Sequence, residues 1–211
     1  MDLGLSFTYV FQDEEWIKKI LIGAVAFLIV FIGWIPLLGW MIEITRRVIR
    51  QDPQPLPDWS DLGGLFTLGL KGLVIAVVAG IIPGVLAIPY SILSAISNNS
   101  DTIVLIYSVC YSCFSLLYAV LIAFAVPASY GILAATDQLG DALNPSKILG
   151  LVRAAPAPYV MAIIGGLVAS LIGNLGAILC GIGILATMAY SVAIMGHLYG
   201  QAYQQAVSST V

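Results

Sequence analysis

The sequence predicts an all-α integral membrane protein, and three observations predict it. Of 211 residues, 60% are hydrophobic and 9% charged, with a mean hydropathy of +1.02. A soluble domain carries about 25% charged residues to solvate its surface. The apolar residues run in long stretches over residues 20–44, 73–96, 103–135 and 159–198, and a bilayer core of about 30 Å needs about 20 such residues in a helix. Finally, all eight basic residues fall on one set of connections. Lys18 and Lys19 precede the first stretch, Arg46, Arg47, Arg50 and Lys71 flank the loop before the second, and Lys147 and Arg153 precede the last. The polar turn at residues 97–101 and the Gly-rich stretch at 173–183 carry none. This is the positive-inside pattern, and it places the basic connections in the cytoplasm.

The elements follow in order. Residues 3–11 are apolar but short, and Leu3, Phe7 and Val10 share helical spacing, which predicts an interfacial helix. Asp13 is placed to cap the next helix, with Glu14 and Glu15 in its first turn. Trp16 and snorkelling Lys18 and Lys19 mark the membrane surface. The segment lacks the basic start and small-residue cleavage site of a signal peptide. The first apolar stretch has two readings. As a straight helix it crosses once. Alternatively it turns back at Gly33-Trp34-Ile35-Pro36-Leu37-Leu38-Gly39, where Pro36 disfavours helical geometry at Ile35. The hairpin reading is preferred because it puts all eight basic residues on one face.

Pro83 and Pro89 are expected to kink or unwind the second stretch. The third is longer than one crossing needs, and Pro127 with Gly131 is expected to bend its final turns along the interface. The last stretch would span about 60 Å as one helix, so it must be two, turning near Gly173-Asn174-Leu175-Gly176 and Cys180-Gly181-Ile182-Gly183. Before it, Asn144-Pro145 starts a short amphipathic helix with Ile148, Leu151, Val152 and Ala155 on one face. The result is one membrane domain, 1–211, with about six membrane segments as three helical hairpins (approximately 17–50, 66–135 and 157–206). Cytoplasmic loops cover 51–65 and 136–156, and both termini are cytoplasmic. Five transmembrane helices are the alternative.

Five polar or aromatic positions stand out. Glu43 is the one acidic side chain inside an apolar stretch, and Arg47 lies at i+4, the spacing of a local ion pair. In the loop 51–61, Pro53, Pro55 and Pro57 impose an extended path. Trp59 then offers an interfacial anchor, and Asp58 or Ser60 a helix cap. His197, the single histidine, shares a helix face with Tyr190, Ile194 and Gln201, and by depth only Glu43 is available as an acidic partner. A hydrogen-bonded interfacial histidine is the expectation. Small residues repeat at i+4 in Ala162-Gly166-Ser170, Gly165-Ala169-Gly173, Gly80-Gly84 and Gly196-Gly200, as at close helix contacts. Tyr107, Tyr111, Phe114 and Tyr118 form an aromatic stripe, read as helix-facing packing with hydroxyl hydrogen bonds.

No zinc-type histidine pair, phosphate-binding loop or G-x-S-x-G is present. Cys110, Cys113 and Cys180 lie in apolar stretches, and the C-x-x-C lacks further metal ligands. No cofactor, metal or nucleic-acid partner is therefore expected, and the chain is not read as an enzyme. The run Leu56-Pro57-Asp58-Trp59-Ser60-Asp61-Leu62-Gly63-Gly64-Leu65-Phe66 with Gly69-Leu70-Lys71, and the closing His197-Leu198-Tyr199-Gly200-Gln201-Ala202-Tyr203, resemble the domain-of-unknown-function 4013 family. That resemblance implies a prokaryotic multi-pass protein of the cell membrane and supplies no activity. The expected role is a non-catalytic accessory, assembly or lipid-interacting module, its partners being the bilayer and other membrane subunits or itself. A small-solute permease, favoured by the helix breakers at Pro36, Pro83 and Gly181, is the alternative.

Overall fold

The computed structural model describes residues 1–28, 33–96, 102–176 and 183–209, and the regular elements among them are all helical. In chain order they are α1 (Leu3–Thr8), a 3-10 turn (Tyr9–Gln12), α2 (Trp16–Leu28), α3 (Trp34–Arg50), α4 (Leu62–Ile96), α5 (Thr102–Thr136), α6 (Leu139–Ala142), α7 (Pro145–Ala154), α8 (Pro156–Leu175) and α9 (Gly183–Ser208). The polar turn at Asn98, Asn99 and Asp101 and the stretch with Cys180 and Gly181 lie outside the described residues. Three helices, α4, α5 and α8, are long and apolar enough to cross a membrane.

The centre is built from α3 and α9. Helix α3 buries Leu37, Trp40, Met41, Ile42, Ile44 and Thr45 on several sides, while Glu43, Arg46, Arg47 and Arg50 crowd its last turns. Helix α9 is buried on two faces, with Ala189 and Ala193 packed among residues of α2 and α3, and Ile194, Leu198, Ala202 and Ala206 among residues of α8. Helices α3 and α9 approach closely where α9 has glycine. A Cβ on Gly196 would lie 2.7 Å from the Met41 carbonyl, and one on Gly200 2.6 Å from Val48 Cβ. Thr45 Oγ1 donates across this contact to the Gly196 carbonyl at 2.9 Å. On its other side α3 meets α4 backbone to backbone. A Cβ on Gly39 would collide with the Leu65 carbonyl, and one on Gly69 with the Ile35 carbonyl.

The chain reverses between α2 and α3. Lys19 at the start of α2 and Arg47 near the end of α3 both donate to the Leu56 carbonyl, at 3.0 and 3.3 Å. In one straight helix these residues would be roughly 40 Å apart. Pro36 sits inside the first turn of α3, where a missing N–H costs little. Helices α8 and α9 also pack antiparallel, with Thr187 Oγ1 donating to the Gly173 carbonyl at 2.8 Å.

Helices α4 and α5 form the third antiparallel pair, and tyrosines join them. Helix α4 runs unbroken through Pro83 and Pro89, contrary to the expected unwinding. Pro83 has no N–H to give to the carbonyl of Ala79, four residues back. Tyr118 of α5 supplies the missing donor at 2.8 Å. Tyr111 and Tyr107 donate to the carbonyls of Pro83 and Leu86, at 3.2 and 2.6 Å. A neighbouring helix re-satisfying freed carbonyls is how proline is tolerated in apolar surroundings. Tyr118→Phe is therefore expected to cost about 1 kcal/mol, and to cost nothing in a Pro83→Ala background, where an N–H returns. Thermal unfolding of the four proteins of this cycle checks it; equal losses in both backgrounds would show that the bond does not compensate the proline.

Several further expectations are corrected. The last turns of α5 pack into the bundle: residues 127–134 are buried, and Gly131 admits the ring of Tyr203. Residues Gly165, Ala169 and Gly173 of α8 are buried and face α9, but a Cβ on Gly166, Gly80 or Gly84 meets nothing within 4 Å. Those three glycines face outward, although Ala162, in the same repeat as Gly166, is buried. Helix α1 is docked on α9, with Tyr190 donating to the Phe7 carbonyl and Tyr9 to that of Ala193. Helix α7 starts as read, Asn144 accepting from Ser146 N–H with Pro145 at its first position. The α4–α5 pair touches the bundle mainly at its base. No residue of α4 after Ile75 and none of α5 between Leu105 and Val126 is buried, which leaves Val77, Ile81, Val85, Leu116, Leu117 and Val120 outward.

Candidate functional site

The ion pairs of the described residues gather at the end of the bundle where α2 and α4 begin and α3 and α5 end. The extended loop of Pro53, Pro55 and Pro57 organises it. Besides Leu56, whose carbonyl joins α2 to α3, Pro57 accepts from Trp40 Nε1 at 3.0 Å. Trp59 stacks on Trp40 with ring centroids 5.4 Å apart and donates to the Lys19 carbonyl at 3.0 Å. Trp59 is 8% exposed, so it is a wedge between helices and not an interfacial anchor. Neither Asp58 nor Ser60 caps α4. Asp61 does, its Oδ1 accepting from Gly64 N–H at 2.9 Å.

Asp58 pairs instead with Lys19, at 3.2 Å, and Lys19 also reaches Asp13 at 2.9 Å. The Lys19 and Asp13 side chains are 7% and 5% exposed. Lys19 therefore does not snorkel; Lys18, exposed beside Glu15, is the one on the surface. Burial by itself would raise the Asp13 carboxyl. The hydrogen bond from Lys19, the Glu15 N–H, the Lys19 charge and the Leu56 N–H together hold it below the usual carboxylate range.

Arg46, and not Arg47, is the partner of Glu43. Its Nη1 meets Glu43 at 2.9 Å, its Nη2 meets Asp137 at 3.0 Å, and its Nε donates to the Ala134 carbonyl. Positions i+3 and i+4 are both within reach on a helix, and the end of α5 decides by offering Arg46 two more acceptors. Asp137 stands in the left-handed region, φ 58°, and bridges Arg46 to Lys71, the latter at 3.0 Å. Against the effect of burial, Lys71 and then Arg46 lower its carboxyl. Arg47 turns to the loop, where Nη1 meets Gln54 and Leu56, and its buried Nε has no partner among the described residues.

Between these groups lies a basin of about 540 Å³. Its lining sets the carboxylates of Glu43, Asp58, Asp61 and Asp137 against the cations Arg46, Arg47 and Lys71, a near balance that gives no strong field for an anion. His197 lies apart from it. Its ring is 6% exposed and stacks on Tyr9 at 4.1 Å. Gln201 Oε1 accepts from Asp2 N–H at 2.9 Å, so the Gln201 amide nitrogen faces His197 Nδ1, at 3.2 Å. That assigns Nδ1 as acceptor and the proton to Nε2. Ser6 Oγ also meets Nδ1, at 2.9 Å. Glu43 is not brought to His197, which instead holds the N-terminal segment against α9. Alongside α4, α5 and α7 runs a second cavity, an apolar crevice of about 610 Å³. Among the described residues no three His, Cys, Asp or Glu side chains group as a metal site, and Cys110 and Cys113 are free and exposed.

The family model described as Protein of unknown function (DUF4013) matches residues 22–197. The chain belongs to this family. No curated protein and no solved structure matches it. The DUF4013 match takes in the Pro-rich loop, the basin and His197, whereas Asp13 and Lys19 precede it. What sequence reasoning missed here is the pairing of Lys19 with the loop and the bridging role of Asp137. The φ of Asp137 follows from its place just after α5, where Asp is tolerated in the left-handed region.

The revised pairing predicts a double-mutant cycle. Glu43→Gln with Arg46→Gln should show a coupling of about 1 kcal/mol, and Glu43→Gln with Arg47→Gln none beyond error. Unfolding midpoints in detergent measure both. Coupling only in the Arg47 cycle would restore the i+4 pair.

Proposed function

We propose that this DUF4013 protein is a non-catalytic membrane module of the prokaryotic cell membrane. It enters the bilayer as three hairpins from the cytoplasmic side, with both termini cytoplasmic. It works by packing against lipid and against itself or another membrane subunit. One observation carries this reading: polarity is separated along the bundle. The charged basin lies at one end, while the interior between α3 and α9 is filled by Trp40, Ile44, Ala189 and Ala193, all 0% exposed. A permease needs a polar site near mid-depth, commonly at broken helices. The open apolar faces of α4 and α5 suit lipid or a partner helix, since exposed patches of that size mark such contacts.

Single cysteines at positions 18, 50 and 147, in a protein lacking Cys110, Cys113 and Cys180, test the arrangement. None should react with an impermeant thiol reagent from outside the cell, and all should react after permeabilisation. Labelling of position 18 from outside would mean that the first apolar stretch crosses once. A saturable solute flux in proteoliposomes, abolished by Glu43→Gln, would replace the module by the permease.

A further inference from the structure

We infer that the crevice between α4, α5 and α7 holds one acyl chain of an anionic phospholipid, with its headgroup at Arg153; the inference rests on the membrane reading above. The walls are apolar, with Ile75 and Ile82 from α4, Leu121 and Phe124 from α5, and Ile148 and Val152 from α7. Along α5 the lining extends from Leu117 to Ser129, about 18 Å by the rise of a helix. One leaflet of a 30 Å hydrocarbon core is about 15 Å deep. The length therefore suits a chain entering from the charged end and stopping near the midplane.

The crevice, about 610 Å³ along about 18 Å of α5, has room for a hydrocarbon chain along its length. Polar groups stand only where a lipid is polar. Ser129, 4% exposed and with no hydroxyl partner among the described residues, lies in the wall at the end of the crevice nearer the charged groups. There it can donate to an ester oxygen. Tyr118, also in the wall, is already engaged by the Ala79 carbonyl.

The headgroup is specified by charge. Arg153 lies one turn after Leu149 and next to Val152, both of which line the crevice. It is exposed and makes no ion pair among the described residues. Lys147 on the same helix is neutralised by Asp141 at 2.7 Å, so Arg153 is the basic group of α7 left to face an anionic phosphate. A single basic residue at such a surface favours an anionic over a zwitterionic lipid by about fivefold.

Nanodiscs containing equal phosphatidylglycerol and phosphatidylcholine, followed by native mass spectrometry of the released protein, test this. Wild type should retain one lipid, with phosphatidylglycerol preferred. Arg153→Gln should still retain a lipid and lose the preference about fivefold. Ala125→Trp, which fills the crevice, should release lipid of either kind. Leu149→Trp does the same from the surface of α7, where its folding does not depend on the core. An unchanged preference in Arg153→Gln overturns the headgroup assignment. A full lipid complement in both tryptophan variants, or loss of a bound protein chain in place of lipid, overturns the site. The labelling pattern at positions 18, 50 and 147 decides the hairpin arrangement separately from these lipid counts.

Discussion

Gly69→Ala and Gly39→Ala should each abolish the stably folded protein, while Gly166→Ala, Gly80→Ala and Gly84→Ala should be neutral or stabilising. Replacing glycine by alanine within a helix ordinarily gains about 0.5–1 kcal/mol, because alanine loses less backbone entropy on folding. At Gly80, Gly84 and Gly166 the new methyl meets nothing within 4 Å, so that gain should stand. At Gly39 and Gly69 the methyl would enter the backbone carbonyls of Leu65 and Ile35. Backbone cannot rotate away as a side chain can. The helices must separate, and α3 then loses its contact with the buried Leu65, Leu68 and Ile75. Overpacking in a core costs about 1–3 kcal/mol, occasionally more; a reciprocal backbone clash belongs at or beyond the upper end. The measurement is the monodisperse fraction and melting temperature in mild detergent. A Gly69→Ala protein that melts with wild type would show that α3 and α4 do not cross at these residues.

The same contrast shows what the sequence could disclose. Charge asymmetry and apolar stretches suffice for the all-helical class, because the hydrocarbon core of a bilayer admits only helices or closed barrels and constrains their length. Small-residue spacing is a weaker guide. Gly165 and Gly166 are adjacent members of overlapping stripes, and only the presence of α9 makes one a contact and leaves the other open. Gly39 and Gly69 belong to no repeat along their own helices; they oppose each other across two helices, each also against a carbonyl of the other. The polar end divides in the same way. The Pro-rich loop and its tryptophan are conspicuous in the chain. That Trp59 turns inward depends on Trp40 providing a stacking partner and Lys19 a carbonyl. Glu43 had two arginines in reach, and the choice rested on Ala134 and Asp137, about ninety residues away. Long-range acceptors leave no local mark.

Lys19→Met should lower the melting temperature by roughly 10 °C, and Asp13→Asn combined with Lys19→Met should recover part of that loss. Lys19 and Asp13 are 7% and 5% exposed, so each charge has lost most of its hydration. Breaking a buried pair from one side leaves the other charge desolvated and uncompensated, at a cost of about 3–5 kcal/mol, and about 2–4 °C accompanies each kcal/mol for a chain of this size. The Asn variant keeps an acceptor for the Glu15 N–H, which Asp13 receives at 2.9 Å, while removing the stranded charge. The pair also carries a pH signature. The Asp13 carboxyl is held below its unfolded value, mainly by Lys19 once burial is overcome. Its contribution is therefore complete above the unfolded carboxylate range and is lost as pH falls through the folded value. Wild type should lose stability on acidification through that window, and the double variant, lacking the carboxyl, should lose less. Because Lys19 also holds the Leu56 carbonyl at 3.0 Å, opening the pair frees the loop 51–61 from α2. Cysteine reactivity at position 56 should then rise in Lys19→Met and fall back in the double variant. Equal acid sensitivity in wild type and double variant would place the titrating group elsewhere, with Asp137, bridging Arg46 and Lys71, the next to replace.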